Sequence, residues 1–283
     1  MTWAVVGSNG MFGSDMVRVI SASGAEAVGF NRANLDLTDS VDSLAHALSR
    51  SSVVINAVAF TKVDLAESKP RLAEIANSEV PRKLVEACKL TGSRLIQIST
   101  DYVFDGESKI PYLPNDVTGP LSVYGKTKLA GENAVLDFEN GQVVRTAWLY
   151  GANGLCFPRK IATKLLAAKE CFVVDDQFGS PTHTWALANF VLQLGKNSKS
   201  ERILHGVSSG TASWFEFARE IARSMGLQDD LIQPISSVGL KAPAKRPASS
   251  VLEPSVIPGY RIPDWLSVWE EAAGVVIGDI RAQ

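Results

Sequence analysis

An α/β chain with a doubly wound parallel sheet of Rossmann type and a smaller C-terminal substrate lobe is what the sequence predicts, on three observations. Short β-branched runs alternate with helical segments through the first half. Those runs are apolar nearly throughout, as strands buried on both faces are. A glycine-rich turn, Gly7-Ser8-Asn9-Gly10-Met11-Phe12-Gly13, joins the first strand to the first helix.

Taken in order, strands are predicted at residues 3–6, 26–30, 53–56, 94–99 and 142–145, with helices at 11–21, 40–49, 71–90 and 123–136. Ligands of such a sheet lie beyond the carboxyl ends of its strands. After residue 150 the alternation becomes irregular, with helices expected at 161–168, 185–194 and 213–225. Ser213 and Glu216 have the spacing of a capping box. Pro234, Pro243, Pro247, Pro254, Pro258 and Pro263 then predict loop with short elements. The 283 residues are long for one domain and short for two. The expected division is 1–150 for a dinucleotide-binding domain, to which some later segments return, and 151–283 for a mainly substrate-binding lobe.

Composition excludes several classes. Hydrophobic residues at 46% and charged ones at 20% describe a globular chain rather than a disordered one. A net charge of −2 supplies no global field for nucleic acid or an anionic membrane. A phosphate-bearing ligand therefore needs a local site; Lys241, Lys245 and Arg246 form either such a contact or a solvated loop. Cys88, Cys156 and Cys171 are odd in number and far apart, and His46, His183 and His205 do not cluster with them. No disulfide framework and no metal site is expected, and a reducing, cytoplasmic compartment fits. The N-terminus has neither the basic nor the apolar region of a signal peptide, and no apolar run reaches the roughly 18 residues of a membrane span.

In the glycine turn, Gly7 permits the sharp bend, Gly10 lets the backbone approach a pyrophosphate, and Gly13 lets helix and strand pack closely. The second strand runs out into Gly29-Phe30-Asn31-Arg32, without a carboxylate. An acid there would bond a ribose 2′-hydroxyl and repel a 2′-phosphate; Arg32 instead suits the phosphate. NADPH is therefore expected, with NADH tolerated if Arg32 is only a solvated charge.

Tyr124 and Lys128 are four residues apart and share a helix face. Reduction of a ketone needs a proton donor at its oxygen. A free tyrosine ionises near pH ~10, and the Lys128 ammonium is expected to lower that value and to hold the nicotinamide ribose. At the end of the fourth strand, Ser99 and Thr100 both carry a hydroxyl able to polarise the same carbonyl.

The GxxGxxG spacing is that of extended short-chain dehydrogenases, and residues 99–106, reading STDYVFDG, resemble dTDP-4-dehydrorhamnose reductases. So do 124–132 (YGKTKLAGE), 145–150 (RTAWLY), 59–67, 176–182 and 246–250. The resemblance runs to about residue 255. It implies catalysis by Thr100, Tyr124 and Lys128, with Tyr124 protonating the 4-oxygen of a nucleotide-activated sugar. It implies cofactor contacts at Gly7, Asn9, Gly10, Met11, Phe12, Gly13, Asn31, Arg32, Asp36, Leu37, Ala57 and Ala59, as well as at Tyr124 and Lys128. Val63, Phe104 and Trp148 would line the sugar pocket, Arg246 would meet the diphosphate, and the 177–182 turn would help clamp the dTDP. A single aromatic such as Phe104 or Trp148 is otherwise a core residue. A homodimer is compatible with the family. Some members dimerise through Mg²⁺ held by acidic residues near the C-terminus; the resemblance does not place those ligands in this sequence, and no metal is predicted. Departures lie at 155–160, where a proline opens the helix, at 107–121, and beyond 256. Related readings are a reductase of another nucleotide-4-keto sugar, an epimerase or dehydratase of the same superfamily, and a non-catalytic regulatory subunit like the β subunit of methionine adenosyltransferase.

Overall fold

The computed structural model describes residues 1–197, 201–240 and 242–280, which leaves Lys241 outside the described residues. Its first half is β1 (Thr2–Val6), α1 (Met11–Ala22), β2 (Glu26–Phe30), α2 (Val41–Leu48), β3 (Val53–Asn56), α3 (Val63–Ser68), α4 (Pro70–Glu74), α5 (Val80–Thr91), β4 (Arg94–Thr100), α6 (Val123–Leu136) and β5 (Gly141–Thr146). There follow β6 (Leu149–Tyr150), α7 (Phe157–Leu166), β7 (Cys171–Val174), β8 (Phe178–Gly179), β9 (Thr182–His183), α8 (Thr184–Lys196), β10 (Ile203–His205), β11 (Ala212–Ser213), α9 (Trp214–Ser224), β12 (Ile232–Ile235) and α10 (Trp265–Ile277).

Six strands form one sheet in the order β10-β5-β4-β3-β1-β2, with every pair parallel. The chain moves outward from β1 in opposite directions at β2 and β3, so a crevice opens between their carboxyl ends. Helices cover both faces. Trp3, Val5, Ile55 and Ile96 join α1 and α8 in one core cluster, while Ala4, Val54, Leu95 and Val143 join α2 and α5 in another. A third cluster, from α7, β7, α9, β12 and α10, forms the lobe around Tyr150, Phe217 and Trp269. Between the lobe segments, α8 and β10 return to the sheet domain.

Besides α3 and β7, which were not expected either, three elements depart instructively from the sequence-based expectation. The helix expected at 71–90 is interrupted by a π-helical turn at Ile75–Glu79. Pro81 has no N–H to donate and its ring crowds the carbonyl of Asn77, so the ladder widens there. The sixth strand, β10, is only three residues long and too short to recognise from its pattern. Helix α10 was not expected. Its signal was present: Asp264 caps it by accepting the Leu266 N–H, and Trp265, Val268, Trp269, Ala272 and Val276 recur at helical spacing on its buried face. Among the described residues no helix is long and apolar enough to cross a membrane.

Candidate active site

Val6 at the end of β1 is in register with Phe30 of β2 and Asn56 of β3. Gly7, Asn31 and Ala57 therefore leave the sheet side by side at the crevice. Gly7 has φ +91°, and a Cβ on Gly13 would stand 2.2 Å from the Gly7 carbonyl oxygen. Neither position accepts a side chain. Gly10 caps α1 and has no side chain to engage the first-turn amides, which have no partner within the helix. That arrangement suits a bound anion.

From this turn a cleft of about 780 Å³ runs across the end of β2. Gly7, Asn9, Gly10, Asn31, Arg32, Asp36, Leu37, Ala57 and Ala59 all line it. Arg32 is exposed at its rim. One oxygen of Asp36 accepts both the backbone N–H and the hydroxyl of Thr38, each at 2.8 Å, and the backbone bond does most to hold this carboxyl below its usual range. Met11, Phe12 and Gly13 continue the turn into α1. The Phe12 side chain is in the core, Met11 packs against the lobe cluster, and Gly13 is wedged under Gly7. Phe12 and Gly13 are left with their backbone amides for a ligand, whereas Met11 is half-buried.

Thr100 ends β4, and Tyr124 and Lys128 lie on α6. The placement of α6 is set by close approach: a Cβ on Gly125 would meet the Tyr102 carbonyl at 2.2 Å, and one on Gly131 the Asn77 carbonyl at 2.1 Å. Its first turn is held by Ser122, which accepts the Gly125 N–H, and by Glu67, which accepts the Val123 N–H. Thr100 lies beside the Tyr124 phenol, so hydroxyl and phenol come together at the sheet end.

The electrostatics correct the expected effect of Lys128. Burial pushes the Tyr124 phenol up to about 12; the Thr100 bond opposes this and the Asp101 charge adds to it. Lys128 Nζ donates instead to the Ile98 carbonyl at 2.6 Å. Burial lowers its own value to about 8, against the influence of Glu132. Glu132 is fully buried and forks onto Arg145, whose NH2 donates to Oε2 at 2.8 Å. Sequence reasoning assigned no role to Asp101, though it follows Thr100 directly. It accepts the Thr100 hydroxyl at 2.9 Å, and burial raises its carboxyl to about 6.

Of the four expected substrate contacts, Val63 is half-buried at the start of α3. Phe104 is a correction. It is 0% exposed, stacked on Tyr112 at 4.2 Å and covered by Arg145 at 5.0 Å, so it has no surface to offer a sugar. Trp148 is half-buried with φ +46°, an uncommon conformation for a residue with a side chain. Its indole stacks on Trp214 at 3.5 Å, and Gly179 leaves room for it. Arg246 binds Asp64 through two bonds, at 3.0 and 2.7 Å, rather than standing free. It lines a second cleft of about 780 Å³ between the lobe and the residue 242–246 strap, with Lys160, Lys164, Lys245, Gln177, Phe157 and Trp214. The strap continues to Ser249, which donates its N–H to Gly106, and to Ala248, which accepts the N–H of Phe178 in β8. Lys160, Lys164, Phe157 and Trp214 were not expected at a site; their signal was only Phe157, Lys160 and Lys164 at helical spacing on α7, with Trp214 on a separate helix.

Comparison with known proteins places this geometry. A dTDP-4-dehydrorhamnose reductase of Streptomyces griseus is 41% identical over 89% of this chain and 86% of its own. A dTDP-4-keto-6-deoxy-D-glucose reductase of Streptomyces niveus is 38% identical over 88% of each. The crystal structure of dTDP-4-dehydrorhamnose reductase from Bacillus anthracis in complex with NADP superposes with a TM-score of 0.90 at 30% identity, over 96% of this chain and 99% of that one. With residues 1–276 also matching the family model described as RmlD substrate binding domain, the chain belongs to that family.

Proposed function

We propose that the protein is an NADPH-dependent oxidoreductase that reduces the 4-keto group of a dTDP-activated 6-deoxy sugar, dTDP-4-dehydro-L-rhamnose in the first instance. The observation that carries the reading is the meeting of Thr100 and Tyr124 at the end of β4, beside the crevice entered by the glycine turn. The names of the relatives support the substrate class.

The residues present fit the dinucleotide. Gly7 and Gly13 make a cradle that a Cβ would fill, the uncapped start of α1 takes the pyrophosphate, and Arg32 takes the 2′-phosphate. When bound, this cofactor supplies the hydride. Tyr124, with its phenol near 12, stays protonated at neutral pH and donates to the ketone oxygen as charge develops there. The Thr100 proton points to Asp101 Oδ1, so polarising the ketone requires that hydroxyl to rotate. Lys128, fixed to the Ile98 carbonyl, holds the nicotinamide ribose. The cationic cleft with Lys160, Lys164 and Lys245 takes the diphosphate, and Phe157 and Trp214 take the base. In this reading the lobe from residue 151 is the substrate half and the sheet domain the cofactor half. Buried, unpaired Cys88, Cys156 and Cys171 suit the cytoplasm.

The test is NADPH oxidation with dTDP-4-keto-6-deoxyglucose, with and without a 3,5-epimerase. Oxidation only with the epimerase is the expected result. Oxidation without it moves the substrate to another dTDP-4-keto sugar, as the Streptomyces niveus relative's name suggests. NADPH binding with no oxidation in either arm overturns this substrate in favour of another nucleotide sugar or a regulatory role. Arg32→Ala is expected to weaken NADPH about tenfold or more while leaving NADH unchanged, because only the 2′-phosphate loses a partner. Titration with each cofactor checks this, and equal losses would refute the role of Arg32.

A further inference from the structure

Helix α3 carries two carboxylates one turn apart, Asp64 and Glu67, and both reach out of their own helix. Glu67 Oε1 accepts the N–H of Val123 at 2.9 Å. Val123 is the first residue of α6 and immediately precedes Tyr124. A first-turn amide has no partner inside its helix, so this bond, together with the Ser122 cap, fixes the backbone from which Tyr124 leaves α6. The carboxylate is also favoured by the positive end of the helix dipole.

Asp64 works on the ring side. It grips the Arg246 guanidinium at 3.0 and 2.7 Å and accepts the Ala244 N–H at 3.2 Å. The guanidinium lies against the Tyr102 phenol. The Tyr102 ring in turn meets Tyr124 edge-on, with centroids 5.7 Å apart and planes at 76°. Two segments far apart in sequence, α3 and the 244–246 strap, thus converge on one side chain.

We infer that α3 is a positioning element for Tyr124: Glu67 fixes the backbone before it, and Asp64, through Arg246 and Tyr102, fixes its ring. The inference rests on Tyr124 being the acid of the proposed reaction. Both carboxylates are positioning residues, because each acts through another group. Val63 opens the same short helix, so a sugar pressing on Val63 bears on the element that orients the acid.

The experiment compares full-length Glu67→Ala, Glu67→Gln and Asp64→Ala with wild type. Glu67→Ala and Asp64→Ala are expected to lower kcat about tenfold, the scale of a modest misplacement of a reacting group, with NADPH affinity unchanged. Glu67→Gln retains an acceptor oxygen and is expected to restore turnover. A purely structural role would lower Tm and leave kcat alone at temperatures well below it. A second readout is independent of turnover: NMR of Cζ-labelled tyrosine, with the Tyr124 signal assigned by its loss in Tyr124→Phe. Glu67→Ala and Asp64→Ala should each move the Tyr124 signal and leave Tyr150 and Tyr260 in place. A stationary Tyr124 signal overturns the inference, as does wild-type kcat in active variants. Should wild type fail to reduce the keto sugar while the Tyr124 signal still moves, the proposed reaction falls and the positioning by α3 stands.

Discussion

Replacing Tyr124 with phenylalanine should lower kcat by at least about a hundredfold, the usual scale for loss of a general acid, with little change in KM or in NADPH affinity. The ring is half-buried and its edge packs against Tyr102, so phenylalanine keeps that contact and removes only the hydroxyl. Two neighbouring donors at the end of β4 are already engaged. The Thr100 hydroxyl is committed to Asp101, and the Lys128 ammonium to the Ile98 carbonyl. Because burial keeps the phenol near 12, it is already a donor throughout the neutral range. The measurement is steady-state kinetics with the dTDP-4-keto sugar, accompanied by cofactor titration. Near-normal turnover in this variant would dismiss Tyr124 as the acid.

The largest effect on stability is expected at Glu132, which touches no ligand. Glu132 is 0% exposed and Arg145 only 3%. Nε of Arg145 donates to both carboxylate oxygens at 3.1 and 3.2 Å, NH2 donates at 2.8 Å, and NH1 reaches the Pro114 carbonyl at 3.0 Å. The guanidinium face rests on Phe104. Glu132→Ala leaves this cation buried and without its counter-ion, which should cost about 3–5 kcal/mol. Combining Glu132→Leu with Arg145→Met should recover most of that loss, since removing both charges leaves none uncompensated. Urea unfolding of the three proteins decides the matter. A loss below about 1 kcal/mol for Glu132→Ala would mean that water or another group solvates Arg145. Residues 124–132 and 145–150 each resemble the family as separate stretches; the ion pair shows that they meet inside the protein.

The strands were legible because a sheet covered on both faces favours near-continuous apolar runs, and 3–6, Trp-Ala-Val-Val, is conspicuous for that reason. The glycine turn was legible because sterics leave nothing else for Gly7 and Gly13. The π turn at Ile75–Glu79 was foreshadowed only by Pro81, and α10 lay in a stretch without resemblance to guide the eye.

Residue types and local order therefore determined the layered architecture and the crevice and singled out Tyr124 and Lys128, while Thr100 was separated from Ser99 only by the family resemblance. Tertiary structure decided what those groups experience. An ammonium four residues from a phenol on one helix face predicts a lowered phenol pKa, yet burial raises that of Tyr124 and the Ile98 carbonyl engages Lys128. Phe104, adjacent in sequence to site residues, turns into the core, whereas Arg246 is brought to Asp64 across 182 positions. Periodicity reports which face of an element is covered; desolvation and long-range pairing depend on what covers it, and that is settled only when the elements pack.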